Sequence, residues 1–187
     1  MNIIVRPHGS DICHCRPDTT WERENRDFYS PECVNEIWWA PVVFARISKA
    51  GKCIGQKFAG RYYDGVGCGM LMYCRTQSSE MPFISCVDHT SILSMPLYNP
   101  VVLEDEKHFE VKKDEDDIAA THTCHSEWKH ILEDALCRAS QLTSLRIGDF
   151  VAVELAPVSI LASREDKEVV IEGTFCENEA FNFHIIF

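Results

Sequence analysis

A chain of 187 residues, 45% hydrophobic and 25% charged, has the size and composition of one ordinary globular domain, which excludes the disordered and fibrous classes. Its 29 acidic and 18 basic residues leave a formal charge of −11, which repels phosphate backbones and argues against a nucleic-acid partner. Neither the N-terminal MNIIVRPHGSD nor the longest apolar stretch, FVAVELAPVSILA with Glu154 and Pro157 inside it, is long enough for a signal core or a bilayer span. A cytoplasmic protein without membrane contact is expected, and its ten cysteines are read as reduced thiols.

From Trp39 to Ile47 the β-branched, alternating residues predict a strand, with Val43, Ala45 and Ile47 on one face and Val42, Phe44 and Arg46 on the other. Trp38 and Trp39 then point to opposite faces, one into a core and one toward a site or a subunit interface. After a turn at Gly51, the spacing of Ile54, Phe58 and Tyr62 predicts a short amphipathic helix over CIGQKFAGRYY, packed on that strand. Gly65, Gly67 and Gly69 follow on one face of a second strand, where another backbone or a ligand comes close.

Residues 76–100 are punctuated by Pro82, Pro96 and Pro100 and are expected to be loop with short edge strands. HFEVKKDEDDIAATHT reads as two strands joined by a charged turn over 112–117, which lacks the Gly and the distal Glu of a calcium loop. SEWKHILEDALCRASQL places Trp128, Ile131, Leu132, Ala135, Leu136 and Ala139 on one face of a long helix, with Ser126 as N-cap. FVAVEL, EVVIEGTF and FNFHIIF then predict three strands, the last with Phe181, Phe183, Ile185 and Phe187 on one side. The sum is an α+β protein, mainly β, in one domain over residues 1–187.

Two local groupings carry candidate chemistry. Cys13, Cys15, His122, Cys124 and His125 offer soft ligands that would hold tetrahedral zinc if the two clusters met; the competing reading is thiols and imidazoles scattered through a cysteine-rich chain. Cys68, between two glycines, is a candidate nucleophile with no identifiable histidine partner, which favours buried filler.

RPDTTWERENRDFYSPECVNEIWWAPVVFARISKAGKCIGQKFAGRYYDGVGCGM, together with KFAGRYYD, LRIGD and the terminal strands, resembles the fumarylacetoacetate hydrolase family, above all its short bacterial members. The resemblance covers most of the chain. It implies a rolled mixed β-sheet like that family's C-terminal domain, with one long helix and one short helix, assembled as a homodimer. Active members bind Mg²⁺ or a similar ion and cleave, decarboxylate or isomerise β-keto or 2-oxo acids. Such a cation polarises neighbouring carbonyl and carboxylate oxygens and requires hard oxygen ligands, which the family takes from Glu-x-Glu on a strand and a later Asp.

The same alignment sets Ala40 and Val42 where the two glutamates belong. PFISCVDHTS keeps Asp88 but has no counterpart of the family's catalytic Lys, and YCRT keeps Arg75. Leu155 and Ala156 replace the threonine loop that holds the substrate carboxylate, and the N-terminal lid with its His and Glu is shortened. The resemblance therefore implies a protein that has lost the family reaction and serves as a non-catalytic binding or interaction protein, a homodimer taking a small organic acid, with no cofactor expected. The alternative is a divergent hydrolase or lyase acting on a small 2-oxo or β-keto acid through Arg75, Asp88 and relocated Mg²⁺ or Mn²⁺.

Overall fold

The computed structural model describes residues 1–76, 84–114, 117–124 and 126–187. Pro82, residues 115–116 of the charged turn and His125 lie outside the described residues. In chain order the strands are β1 (Asn2–Arg6), β2 (His14–Pro17), β3 (Trp21–Glu22), β4 (Phe28–Tyr29), β5 (Val34–Ile47), β6 (Tyr63–Thr76), β7 (Ser91–Ile92), β8 (Lys107–Lys113) and β9 (Asp117–Cys124). The helix α1 (Ser126–Leu142) separates these from β10 (Phe150–Glu154), β11 (Ser159–Ser163), β12 (Glu168–Phe175) and β13 (Asn178–Ile186).

The long strands β5 and β6 pair antiparallel, from Val34 opposite Thr76 to Ile47 opposite Tyr63. Both are buried on both faces, so the two-residue alternation sorts side chains between two cores. Ile37, Trp39, Val43, Ala45 and Ile47 meet Val66, Cys68, Met70, Met72 and Cys74 in a large core. Val42 and Phe44 meet Leu71 and Tyr73 in a small one, together with Ile3, Val5, Leu93 and Phe150.

A sheet buried on both sides needs a second layer, and the strands of the expected mainly β, mixed architecture accordingly divide between two sheets. The first runs β2-β1-β10-β5-β6-β7-β3, with β11 paired to β5; the second runs β4-β13-β12-β8-β9. Both are mixed, because β1 with β10, β3 with β7 and β4 with β13 are parallel pairs. Phe109, Val111, Ile171, Phe175, Phe181, Phe183 and Ile185 give the second sheet its apolar face toward the large core.

Helix α1 closes that core with Trp128, Leu132, Ala135, Leu136 and Ala139, the stripe its spacing predicts, while Ile131 sits at the edge. The shorter helix departs from expectation. Gln56–Arg61 is a 3₁₀ helix, in which Ala59 is the buried residue. With three residues per turn, positions 54, 58 and 62 do not share a face, and Gly55 and Gly60 weaken the α alternative. Phe58 is exposed, with Lys57 Nζ and Arg61 Cζ 4.8 and 5.4 Å from its ring centre.

The glycine face of β6 is a place of close backbone approach. A Cβ on Gly69 would lie 2.1 Å from the carbonyl oxygen of Ile92. Leu93, the next residue along that backbone, belongs to the small core. Among the described residues no helix is long and apolar enough to cross a membrane.

Candidate functional site

The face of β5 that carries Ala40 and Val42 is read most directly from its pairing. Glu36, Trp38, Ala40, Val42 and Phe44 stand opposite Arg75, Tyr73, Leu71, Gly69 and Gly67 of β6, and Val42 also stands opposite Glu154 of β10. Ala40 and Val42 are wholly buried. Val42 packs with Phe44, Leu71 and Leu93 in the small core. Trp38 shares this face and is half-buried at the core's margin, whereas Trp39 enters the large core, as strand alternation requires.

Arg75 is occupied at the end of this row. Its Nη1 donates to Glu36 Oε2 at 3.2 Å, its guanidinium lies 5.7 Å from the Trp38 ring centre, and Trp38 Nε1 donates to the same carboxylate oxygen at 2.9 Å. Asp88 is exposed in the turn before β7, at the edge of a cleft of about 690 Å³ that it shares with Arg26, Asp27 and Tyr29. Arg75 is not among the residues of that cleft.

This face instead holds two buried charged residues, Arg16 and Glu154, with the Tyr73 phenol between them in the chain of contacts. Arg16 of β2 is inaccessible to solvent; its Nη2 donates to Met72 O at 2.9 Å, to Thr90 Oγ1 at 2.6 Å and to Thr90 O at 3.3 Å. Its guanidinium lies 5.0 Å from the Tyr73 ring centre, and its Nε and Nη1 have no hydrogen-bond partner among the described residues. The Tyr73 hydroxyl donates to Glu154 Oε1, and Glu154 Oε2 accepts from His8 N at 3.0 Å. Burial, with the Glu154 carboxylate alongside, pushes the Tyr73 hydroxyl far above the usual phenol range. Burial draws Arg16 down from its ordinary value, with Tyr73 opposing that shift.

A divalent cation of the kind the sequence resemblance implies does not fit here. It needs several oxygen ligands, and the two strand positions that should supply carboxylates hold wholly buried apolar side chains, with Val42 inside the small core. Glu154, the carboxylate beside them, is already committed to Tyr73 and His8. Among the described residues no group of three or more His, Cys, Asp and Glu side chains could hold a metal ion.

The zinc candidates are placed differently from one another. Cys13 is half-buried before β2 and Cys15 is exposed on it, opposite Ile4. Cys124 is buried, its Sγ 3.8 Å from Leu103 O, and burial pushes its thiol up to about 11. His122 lines a cleft of about 480 Å³ with Arg6, His8 and Glu127, and burial, then the charge of His8, lowers its pKa. Cys68 is buried, and burial drives its thiol well above the usual range, which makes it a poor nucleophile.

Sequence reasoning missed Arg16, Tyr73 and Glu154. They come from strands far apart in the chain, and the only local signal was a charged residue, Arg16, set before Pro17 in RPDTT.

No protein-family model matches the sequence, and no match is found among curated proteins. Solved structures do match. 5-Carboxymethyl-2-hydroxymuconate delta-isomerase from Mycobacterium smegmatis aligns with a TM-score of 0.79 at 10% identity, over 99% of this chain and 78% of that one. Fumarylpyruvate hydrolase from Pseudomonas aeruginosa, in complex with Mn²⁺ and pyruvate, aligns at 0.77 and 13% identity, over 100% of this chain and 90% of that one. A fumarylacetoacetate hydrolase family protein from Yersinia pestis CO92 aligns at 0.77 and 12%, over 99% and 92%. At such identities the likeness is one of fold, and the fold is that of the fumarylacetoacetate hydrolases.

Proposed function

We propose that this chain is a fumarylacetoacetate hydrolase-like protein without that family's metal-dependent hydrolase or decarboxylase chemistry, working as a cytoplasmic, homodimeric binding or interaction protein. One observation carries the reading: Ala40 and Val42 are wholly buried where metal-binding glutamates would have to reach an open site. Fold does not carry chemistry by itself, and a hard cation without oxygen ligands keeps its water and leaves. The ligand proposed is a small organic acid.

The test is to dialyse the untagged protein against Mn²⁺ and Mg²⁺ and measure metal per chain by elemental analysis, then assay acylpyruvates and oxaloacetate. Metal far below one ion per chain and no saturable turnover are expected. The second reading, a divergent enzyme, draws on the exposure of Asp88 at the mouth of its cleft. Tightly held Mn²⁺ with turnover that disappears in Asp88→Ala would establish that reading and end the first.

A further inference from the structure

Glu22 and His89 are 67 residues apart in sequence and meet at the β3 edge of the first sheet, where His89 Nδ1 lies 2.7 Å from Glu22 Oε2. The two are unequal in exposure. Glu22 is 4% exposed while the His89 ring is 48% exposed. The other surface histidine–carboxylate pair among the described residues, His184 with Glu168 at 2.6 Å, has both partners open to water. A buried carboxylate beneath an open imidazole fixes the ring, and because a carboxylate accepts, the proton resides on Nδ1 and the lone pair on Nε2.

Both members are anchored. Glu22 Oε1 accepts from Glu24 N at 2.6 Å, and the Glu22 carbonyl accepts from Leu93 N at 3.2 Å. His89 has a left-handed backbone, φ 59°, held by its N–H donating to Thr19 O at 3.2 Å. Non-glycine residues adopt that conformation at a cost, and such costs gather at functional positions. Two clefts, of about 690 and 450 Å³, both include His89 and Arg26 in their walls.

We infer that Glu22 and His89 form a metal-independent hydrolytic site for small uncharged esters. His89 is the catalytic residue and Glu22 the positioning residue. Nε2 takes a proton from water as its oxygen bonds to the acyl carbon. The bond from that carbon to the alcohol oxygen then breaks, and the imidazolium returns the proton to the departing alkoxide. Ester and water become acid and alcohol, with no other reactant. Arg26, ion-paired with Glu24, lines both clefts and is the cation nearest to hand for the acyl oxygen. Phe28, Tyr29, Pro31 and Val87 make the larger cleft apolar, while Asp27 and Asp88 disfavour an anionic substrate.

This site is separate from the buried strand positions of the metal reading, so the assay is run on the full chain in EDTA with p-nitrophenyl acetate. Saturable hydrolysis above buffer is expected. His89→Asn, whose side chain tolerates the left-handed backbone, should lower kcat by about 100-fold. Glu22→Gln should lower kcat about ten-fold with KM unchanged, a split that general loosening of the fold does not give. His89→Gly also suits φ 59°, and added imidazole should restore its activity while leaving His89→Asn unmoved. Hydrolysis no faster than buffer, equal kcat in wild type and His89→Asn, or loss of activity in EDTA would each overturn the assignment.

Discussion

Val42 on β5 and Glu154 on β10 face each other across the strand pair, so the buried carboxylate of this surface lies on the strand beside the one expected to carry it. Its hydrogen-bond partners are the Tyr73 phenol and the His8 N–H in place of a metal. Tyr73→Phe removes a hydrogen bond to a buried carboxylate and should cost about 1–3 kcal/mol by urea denaturation. Arg16→Met removes charge-assisted hydrogen bonds to Met72 O and Thr90 Oγ1 and the cation over the Tyr73 ring, and should cost about 1.5–3 kcal/mol. Equal midpoints for wild type and Arg16→Met would show that the hydrogen bonds of the guanidinium to Met72 and Thr90 add nothing to stability.

Restoring the missing glutamates should not restore a metal site. In the double variant Ala40→Glu, Val42→Glu, two carboxylates would enter a closed core beside Phe44 and Leu71. Burying unpaired charge is strongly unfavourable, so a lowered Tm is expected, with no rise on adding Mn²⁺. A Mn²⁺-dependent increase in Tm would mean that the remaining ligands are already in place.

Gly69→Ala tests the close approach over β6. Its Cβ would meet a backbone carbonyl that has no rotamer to change, whereas at Gly67 the nearest atom is Phe44 Cζ at 2.7 Å. Gly69→Ala should lose at least about 2 kcal/mol, and Gly67→Ala less, by the same denaturation measurement.

Acid should weaken the fold well above the carboxylate range. His14 is lowered by burial and then by Arg16, and His122 by burial and then by His8. The unfolded chain takes up these protons first, as pH falls below about 6.5. The associated stability is therefore complete above that value and is lost as pH drops through the depressed folded values. His184, raised by its hydrogen bond to Glu168, acts in the opposite sense, but it is open to solvent and screened. Urea midpoints should fall between pH 7.5 and pH 5, and fall less in His14→Gln, His122→Gln.

Thiol alkylation should separate the cysteines by burial. Cys15, Cys33, Cys53 and Cys86 are exposed, whereas Cys68, Cys74, Cys124 and Cys137 are buried, and burial pushes the Cys74 thiol up to about 12. Mass spectrometry after iodoacetamide should find the first four modified in the native protein and the second four only in denaturant.

Periodicity revealed much of the fold and little of the site. The stripe from Trp128 to Ala139 announced α1, and alternation announced β5 and β13, because each is a local pattern with one dominant face. The segment around Phe58 misled because helical spacing was inferred from three residues while two glycines argued for a tighter turn. Strands β1, β2, β3, β4 and β11 were not anticipated: they are two to five residues long, too short to show a period. Ala40 and Val42 stood out through a resemblance that named what was missing. Glu22 with His89, and Arg16 with Tyr73 and Glu154, have no sequence signature, since the tertiary fold alone brings their chain segments together.

The position of β10 between β1 and β5 has a bearing on biogenesis. Ile3 pairs with Phe150, and Asn2 N donates to Asp149 Oδ1 across 147 residues. A ribosome emits β1 long before its central partner, so until β10 emerges β1 has only β2 beside it and an open edge on the other side. Contacts of such span are closed late and at an entropic cost that slows folding. The small core, and Glu154 with it, therefore assembles after synthesis has passed residue 154, which makes the nascent chain dependent on whatever shields that edge until then.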